Sequence, residues 1–179
     1  MFKHLLAVTG LGLSLSGCLI NNVSTPQQAS AGTTIEHDKY KALTYVSGPA
    51  LGATMLGGSQ SWQIVTSLNA DGEIVASWID YVESVDAPHT LYSSARDDMA
   101  KPLRVEILDR ERGTRGSYPV EEVAVDLPDG YLREHLHEGI DIQLQGRRDT
   151  QTLKFGTAYI AGYWSKLLIT QGCLKDRSC

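Results

Sequence analysis

The sequence predicts a mainly β fold of the α+β kind: an antiparallel sheet, shaped as a sandwich or partly open barrel, with two short helices against it. Three observations lead there. Apolar and polar residues alternate over at least six strand-length segments, turn-forming residues join those segments in pairs, and helical spacing occurs in only two stretches. The composition agrees, since 179 residues with 42% hydrophobic and 21% charged side chains describe an ordinary globular domain.

The elements follow in chain order. Tyr40 to Val46 reads as a short strand. Trp62, Ile64, Thr66 and Leu68 share one parity, Asn69-Ala70-Asp71-Gly72 forms a turn, and the β-branched and aromatic run Ile74 to Val82 completes a hairpin. His89 to Ser94 is a further short strand. Leu103, Val105 and Ile107 alternate with Arg104, Glu106 and Leu108 and pair with Val123, Val125 and Leu127, the second strand pair. Asp129 can cap a helix that stacks Leu132 on Leu136 and stops at Gly139. Ile140, Ile142 and Leu144 then pair, through a charged turn at 146–150, with Leu153 and Phe155. The second helix, Ala158 to Ile169, places Ile160, Tyr163, Trp164, Leu167 and Leu168 at helical spacing, with Gly162 weakening it.

The N-terminus reads as an address. Lys3 and His4 precede about a dozen apolar and small residues, a secretory signal layout that falls short of the roughly 20 needed to span a bilayer. The stretch ends in Leu15-Ser16-Gly17-Cys18, which resembles the lipobox of bacterial lipoproteins. That resemblance implies cleavage after Gly17, acylation of Cys18 and anchoring to a membrane; an ordinary signal peptide leaving an unmodified Cys18 is the alternative. Several acyl chains make a stable anchor where one does not. Leu19, in place of the Asp that favours inner-membrane retention in that family, points to the outer membrane, with the face left open. The predicted layout is residues 1–17 as signal peptide, 18–38 as lipidated Cys and flexible tether, 39–171 as a single β-rich domain and 172–179 as a C-terminal tail. A tether of about 18 residues would float the domain on the order of 25 Å from its anchor.

Residues from about 92 to 164 resemble a group of small lipoproteins of Gram-negative bacteria. The likeness is carried by Tyr92-Ser93-Ser94-Ala95, Ile107-Leu108-Asp109-Arg110, Val120-Glu121-Glu122-Val123, Tyr131-Leu132 and Tyr159-Ile160-Ala161-Gly162. It implies one β-rich envelope domain and no particular activity. Arg112 and Arg115 stand where that pattern has a Cys pair, so its stapled turn is not expected.

A net charge of −5 without a long basic run argues against a nucleic-acid partner. Of three Cys, Cys173 and Cys179 are expected to form a disulfide in an oxidising compartment, with partner crosslinking or free thiols as alternatives. Glu134, His137 and Glu138 could share a helix face as metal ligands, but di-iron bundles need a second such motif, and an exposed charged face is the simpler reading. Gly52 to Ser59 approaches a phosphate loop with Gly58 where the Lys must stand. His89 beside Asp86 is the best isolated general base, and Asp97-Asp98 reads as solvated surface. Arg110, Arg112 and Arg115, or Arg147 and Arg148, could meet lipid or lipopolysaccharide phosphates, with solvated hairpin tips as the alternative; Trp62, Trp78 and Trp164 could stack on sugars but suit a core. No catalytic, metal or cofactor residue is assigned.

The functional expectation is a lipid-anchored, non-enzymatic envelope protein that binds or helps assemble another envelope component, a protein or a glycan. A small envelope hydrolase assembled by folding, and a receptor-blocking inhibitor or exclusion factor, are the alternatives.

Overall fold

The computed structural model describes residues 19–21, 23–55, 57–86, 88–113 and 118–178. Residues 1–17, Cys18, Arg115 and Cys179 lie outside them, and with them the signal peptide and lipobox readings.

Twelve strands and three helices are described: β1 Leu19–Asn21, α1 Pro26–Gly32, β2 Thr34–Asp38, β3 Leu43–Ser47, β4 Leu51–Met55, β5 Gly58–Leu68, β6 Ile74–Val85, β7 Ser94–Asp97, β8 Pro102–Leu103, β9 Val105–Glu111, β10 Val120–Leu127, α2 Tyr131–Glu134, β11 Ile140–Gln145, β12 Thr150–Phe155 and α3 Thr157–Lys175. Every pairing is antiparallel. One sheet runs β1-β4-β5-β6-β10-β9, with β3 pairing the far half of β5 and β2 pairing β3; the other runs β12-β11-β7-β8. The fold is therefore mainly antiparallel β in two open sheets.

The long hairpin β5–β6 is the spine. Its turn forms because the Asn69 side-chain oxygen accepts from the amides of Asp71 and Glu73, while Gly72 supplies φ +74°. Alternation then puts Ile64, Leu68, Ile79 and Tyr81 on one face, where they meet Val123 and Val125 of β10 and the small sheet's Ile142, Leu144 and Leu153 in a single core. Trp62 ties the sheets together by donating its Nε1–H to the Lys154 carbonyl. Over the other end of this inner face lies α3. Its Tyr163 hydroxyl donates to the Val46 carbonyl at 3.0 Å, and the Tyr159 hydroxyl accepts from the Ile64 amide at 3.3 Å. Gly48 permits that approach, since a Cβ there would stand 2.2 Å from the Tyr159 oxygen.

Four expectations are corrected. The segment expected to be a tether is built into the fold: β1 pairs with β4, and α1 packs on α3 with Ala29 fully buried. Thr25 caps α1 by accepting from the Gln28 amide, and Pro26 suits its first turn, signals that the polar, small composition of 21–38 obscured. The second helix is not short and there is a third: α3 has 19 residues and runs into the expected tail, because Thr170 and Leu174 continue its inward face. The helix after Asp129 has only four helical residues, with Gly130 at its N-cap and no side-chain cap bond. Finally, 89–93 is not a strand; Leu91 sits at φ +59° and the strand begins at Ser94.

Candidate functional site

The two faces of the large sheet carry different polar chemistry. On the inner face, the register aligns Gln60, Glu83, Glu121 and Arg110 across β5, β6, β10 and β9. Glu121 is 1% exposed; its Oε1 accepts from Arg110 Nε and Nη2 at 3.1 and 2.8 Å and from the Tyr92 amide at 3.1 Å, and its Oε2 accepts from the Leu91 amide at 2.9 Å. Glu83 accepts from Gln60 Nε2 and Thr90 Oγ1, each at 2.9 Å, with the Tyr81 and Tyr92 hydroxyls at 3.4 Å. Burial and the neighbouring Glu83 carboxylate push the Tyr92 phenol up to about 12. These bonds explain the irregular 89–93 segment: the Leu91 and Tyr92 amides are spent on a carboxylate, and only the Ser93 amide reaches β11, at the Gln145 carbonyl. The row fastens this segment to the sheet.

On the outer face three cross-strand rows lie side by side: Ser47, Val65, Trp78 and Asp126; then Gln63, Asp80, Ala124 and Glu106; then Ser61, Val82, Glu122 and Asp109. Tyr45 meets Trp78 edge-on, with ring centroids 6.3 Å apart. Among the described residues, the hydrogen bonds, ion pairs and ring contacts of this face are all made within the sheet. These three rows alone hold five carboxylates, two of which, Glu106 and Asp126, pair with Arg104 at 3.0 and 3.4 Å.

At the centre of that surface, Asp80 and Glu122 are diagonal neighbours whose carboxyl groups meet. Burial raises both above the ordinary carboxylate range, and the nearby charges of Asp80 and Asp109 raise Glu122 further. Asp80 Oδ2 accepts from Gln63 Nε2 at 3.2 Å, but Asp80 Oδ1 is buried and meets no donor. Two carboxyl groups this close titrate as a pair, which agrees with the raised direction of both. The face therefore sets an aromatic edge beside a cluster of acidic side chains.

The residues singled out by sequence fall elsewhere. Glu134 closes α2, and His137 and Glu138 follow in a turn, so the helical spacing that would group them is absent. Among the described residues no group of three or more His, Cys, Asp and Glu is arranged to hold a metal ion. His135 is instead the buried histidine, stacked on Tyr131 at 4.0 Å with Nδ1 2.8 Å from the Tyr131 carbonyl. The glycine-rich 52–59 stretch forms the β4–β5 hairpin. His89 is half-buried next to Thr90, and Asp97 is buried, its Oδ1 accepting from the Met99 and Lys101 amides. Arg110 is bound to Glu121, while Arg112, Arg147 and Arg148 are exposed. Trp78 lies on the outer face rather than in the core. The Asp80–Glu122 pair escaped the sequence reading, although inverse alternation, with acids opposite Ile79, Tyr81, Val123 and Val125, marks it.

Comparison with protein-family models, curated proteins and solved structures finds no match for the chain.

Proposed function

We propose that this chain is a lipid-anchored envelope protein that binds a cationic partner protein through the outer face of its large sheet. The observation that supports this reading most is the outer surface itself, where Tyr45 and Trp78 lie beside the Asp126 and Asp80 rows, with Glu122 and Asp109 in the row beyond. Aromatic rings supply area at low entropic cost and attract cations, and carboxylates set orientation and encounter rate. The anchor belongs to the same proposal. Leu19, the residue after Cys18, already pairs with Thr54, so acyl chains on Cys18 would hold the sheet edge at the headgroups, with no long spacer.

A photo-crosslinking residue at Ser61, on the outer face, tests the proposal in intact cells against the same residue at Thr152 of the small sheet. Position 61 should yield one discrete protein adduct that Asp80→Lys with Glu122→Lys abolishes at equal expression. Adducts equal at both positions, or unmoved by the charge reversal, would refute it.

A further inference from the structure

Away from the outer face, a groove of about 560 Å³ runs between α3 and the β2–β3 edge. Its helical wall is Lys166, Ile169, Thr170, Cys173 and Leu174, a single face extending about 12 Å at 1.5 Å per residue. The strand wall is Ile35 and His37, alternate residues of β2, with Thr44 opposite His37. The wall's polar groups are largely spent on one another. Thr170 Oγ1 donates to the Lys166 carbonyl at 2.9 Å, and His37 Nδ1 lies 3.2 Å from Thr44 Oγ1. Among the described residues what faces the groove is mostly hydrocarbon, with the disulfide-bonded Cys173 in the helical wall, and its rims stay wet: Ile35 is 47% and Ile169 62% exposed.

One charge breaks this apolar lining. Lys166 is half-buried and has no ion pair among the described residues. It stands at the end of the helical wall nearest Tyr163, while Leu174 ends the other. An apolar groove with one unpaired lysine at its end complements a single hydrocarbon chain bearing one negative charge. A doubly charged phosphomonoester or a two-chain lipid would leave charge or chain uncovered. We infer that this groove binds a fatty acid, its acyl chain along α3 and its carboxylate on Lys166. The inference is independent of the anchor and of the outer face, so either can fail alone.

The test titrates the detergent-free full chain with dansylaminoundecanoic acid. One saturable site is expected, displaced by dodecanoate and at least about tenfold less well by dodecanol, because the ammonium contributes only to the charged head. Lys166→Met should weaken dodecanoate about tenfold and leave dodecanol unchanged. Ile169→Asp, at an exposed position that tolerates charge, should abolish uptake without altering the melting temperature, and Ile35→Asp should do the same from the opposite wall. Absence of saturable uptake, tighter displacement by a lysophospholipid than by dodecanoate, or self-association that Ile169→Asp removes in place of uptake would each overturn the inference.

Discussion

Glu83 of β6 and Glu121 of β10 stand directly opposite one another, both buried, and only Glu121 is paired with a cation. The difference follows from position. Glu121 lies beside the edge strand, where Arg110 can reach it while keeping part of its guanidinium in water, whereas Glu83 is ringed by neutral donors. Two carboxylates facing each other in a ladder repel, and the Arg110 charge and the Leu91 and Tyr92 amides offset that cost. Arg110→Met should therefore destabilise by about 2–3 kcal/mol, below the full penalty for stripping a wholly buried ion pair because the two amides remain. Chemical denaturation would read it, and a loss under about 0.5 kcal/mol would contradict the pairing.

The same carboxylate should govern the 88–93 segment. Glu121→Ala removes the acceptor of both the Leu91 and Tyr92 amides, and no ladder stands ready to replace it. Hydrogen exchange at those two amides should accelerate at least about tenfold, in line with loss of a charge-assisted bond, while exchange at Ile79 and Ile64 in the β5–β6 core should change only with global stability. Uniform acceleration throughout would mean the segment has no separate fastening.

On the outer face the charge effect runs with pH. Asp80 and Glu122 titrate above their unfolded values, so their proton contributes stability in full below the unfolded range and this is lost as pH rises through the folded values. Asp80→Asn substitutes an amide that accepts from Gln63 and can donate toward Glu122. It should stabilise by about 0.5 kcal/mol at pH 7, the size of a cross-strand charge pair, and the gain should fade toward pH 3. For a chain of this size the pH 7 melting point rises by about 1–2 °C. A gain that grows on acidification would reverse the assigned sign.

Cys173 is disulfide-bonded near the end of α3. Pairing with Cys179 closes a short loop and leaves Cys18 free for acylation; pairing with Cys18 would exclude it. Tryptic cleavage after Lys175 and Arg177 separates the two C-terminal thiols, so a non-reduced digest should contain one linked species holding Cys173 and Cys179, lost on reduction. A Cys173–Cys18 species would eliminate the lipid anchor.

What the sequence made legible was whatever rests on strong local alternation. Ile64, Leu68, Ile79, Tyr81, Val123, Ile142 and Leu153 were placeable on one side by parity, and the Asn69–Gly72 turn named its own partners. What parity conceals is contact at a distance. The Thr25–Gln28 cap was present to be read, but a seven-residue helix has little propensity of its own and exists by packing on α3. The 89–93 segment carries β-formers, yet a carboxylate about 30 residues onward claims the Leu91 and Tyr92 amides. The outer carboxylates looked dispersed because three strands must come together before Asp80, Glu122 and Asp109 become neighbours.

The contact between α1 and α3 gives the sharpest discrimination between the tether expected from composition and the docked helix. Gly162 lies where the two helices cross: a Cβ there would stand 2.1 Å from the Pro26 carbonyl oxygen and 2.6 Å from the Ala29 Cβ. Neither neighbour is the flexible end of a side chain, so the helices must separate. In a helix with nothing against it, Gly→Ala stabilises by about 0.8–1.0 kcal/mol. Overpacking at a close crossing typically costs about 1–3 kcal/mol and outweighs that gain. Gly162→Ala should therefore lower the melting temperature by several degrees and open residues 23–33 to proteolysis, with Gly172→Ala as the reference, since a Cβ at 172 meets none of the described residues within 4 Å and should stabilise. If Gly162→Ala instead raises the melting temperature as Gly172→Ala does, α1 is not docked on α3 and the chain before β2 is a tether after all.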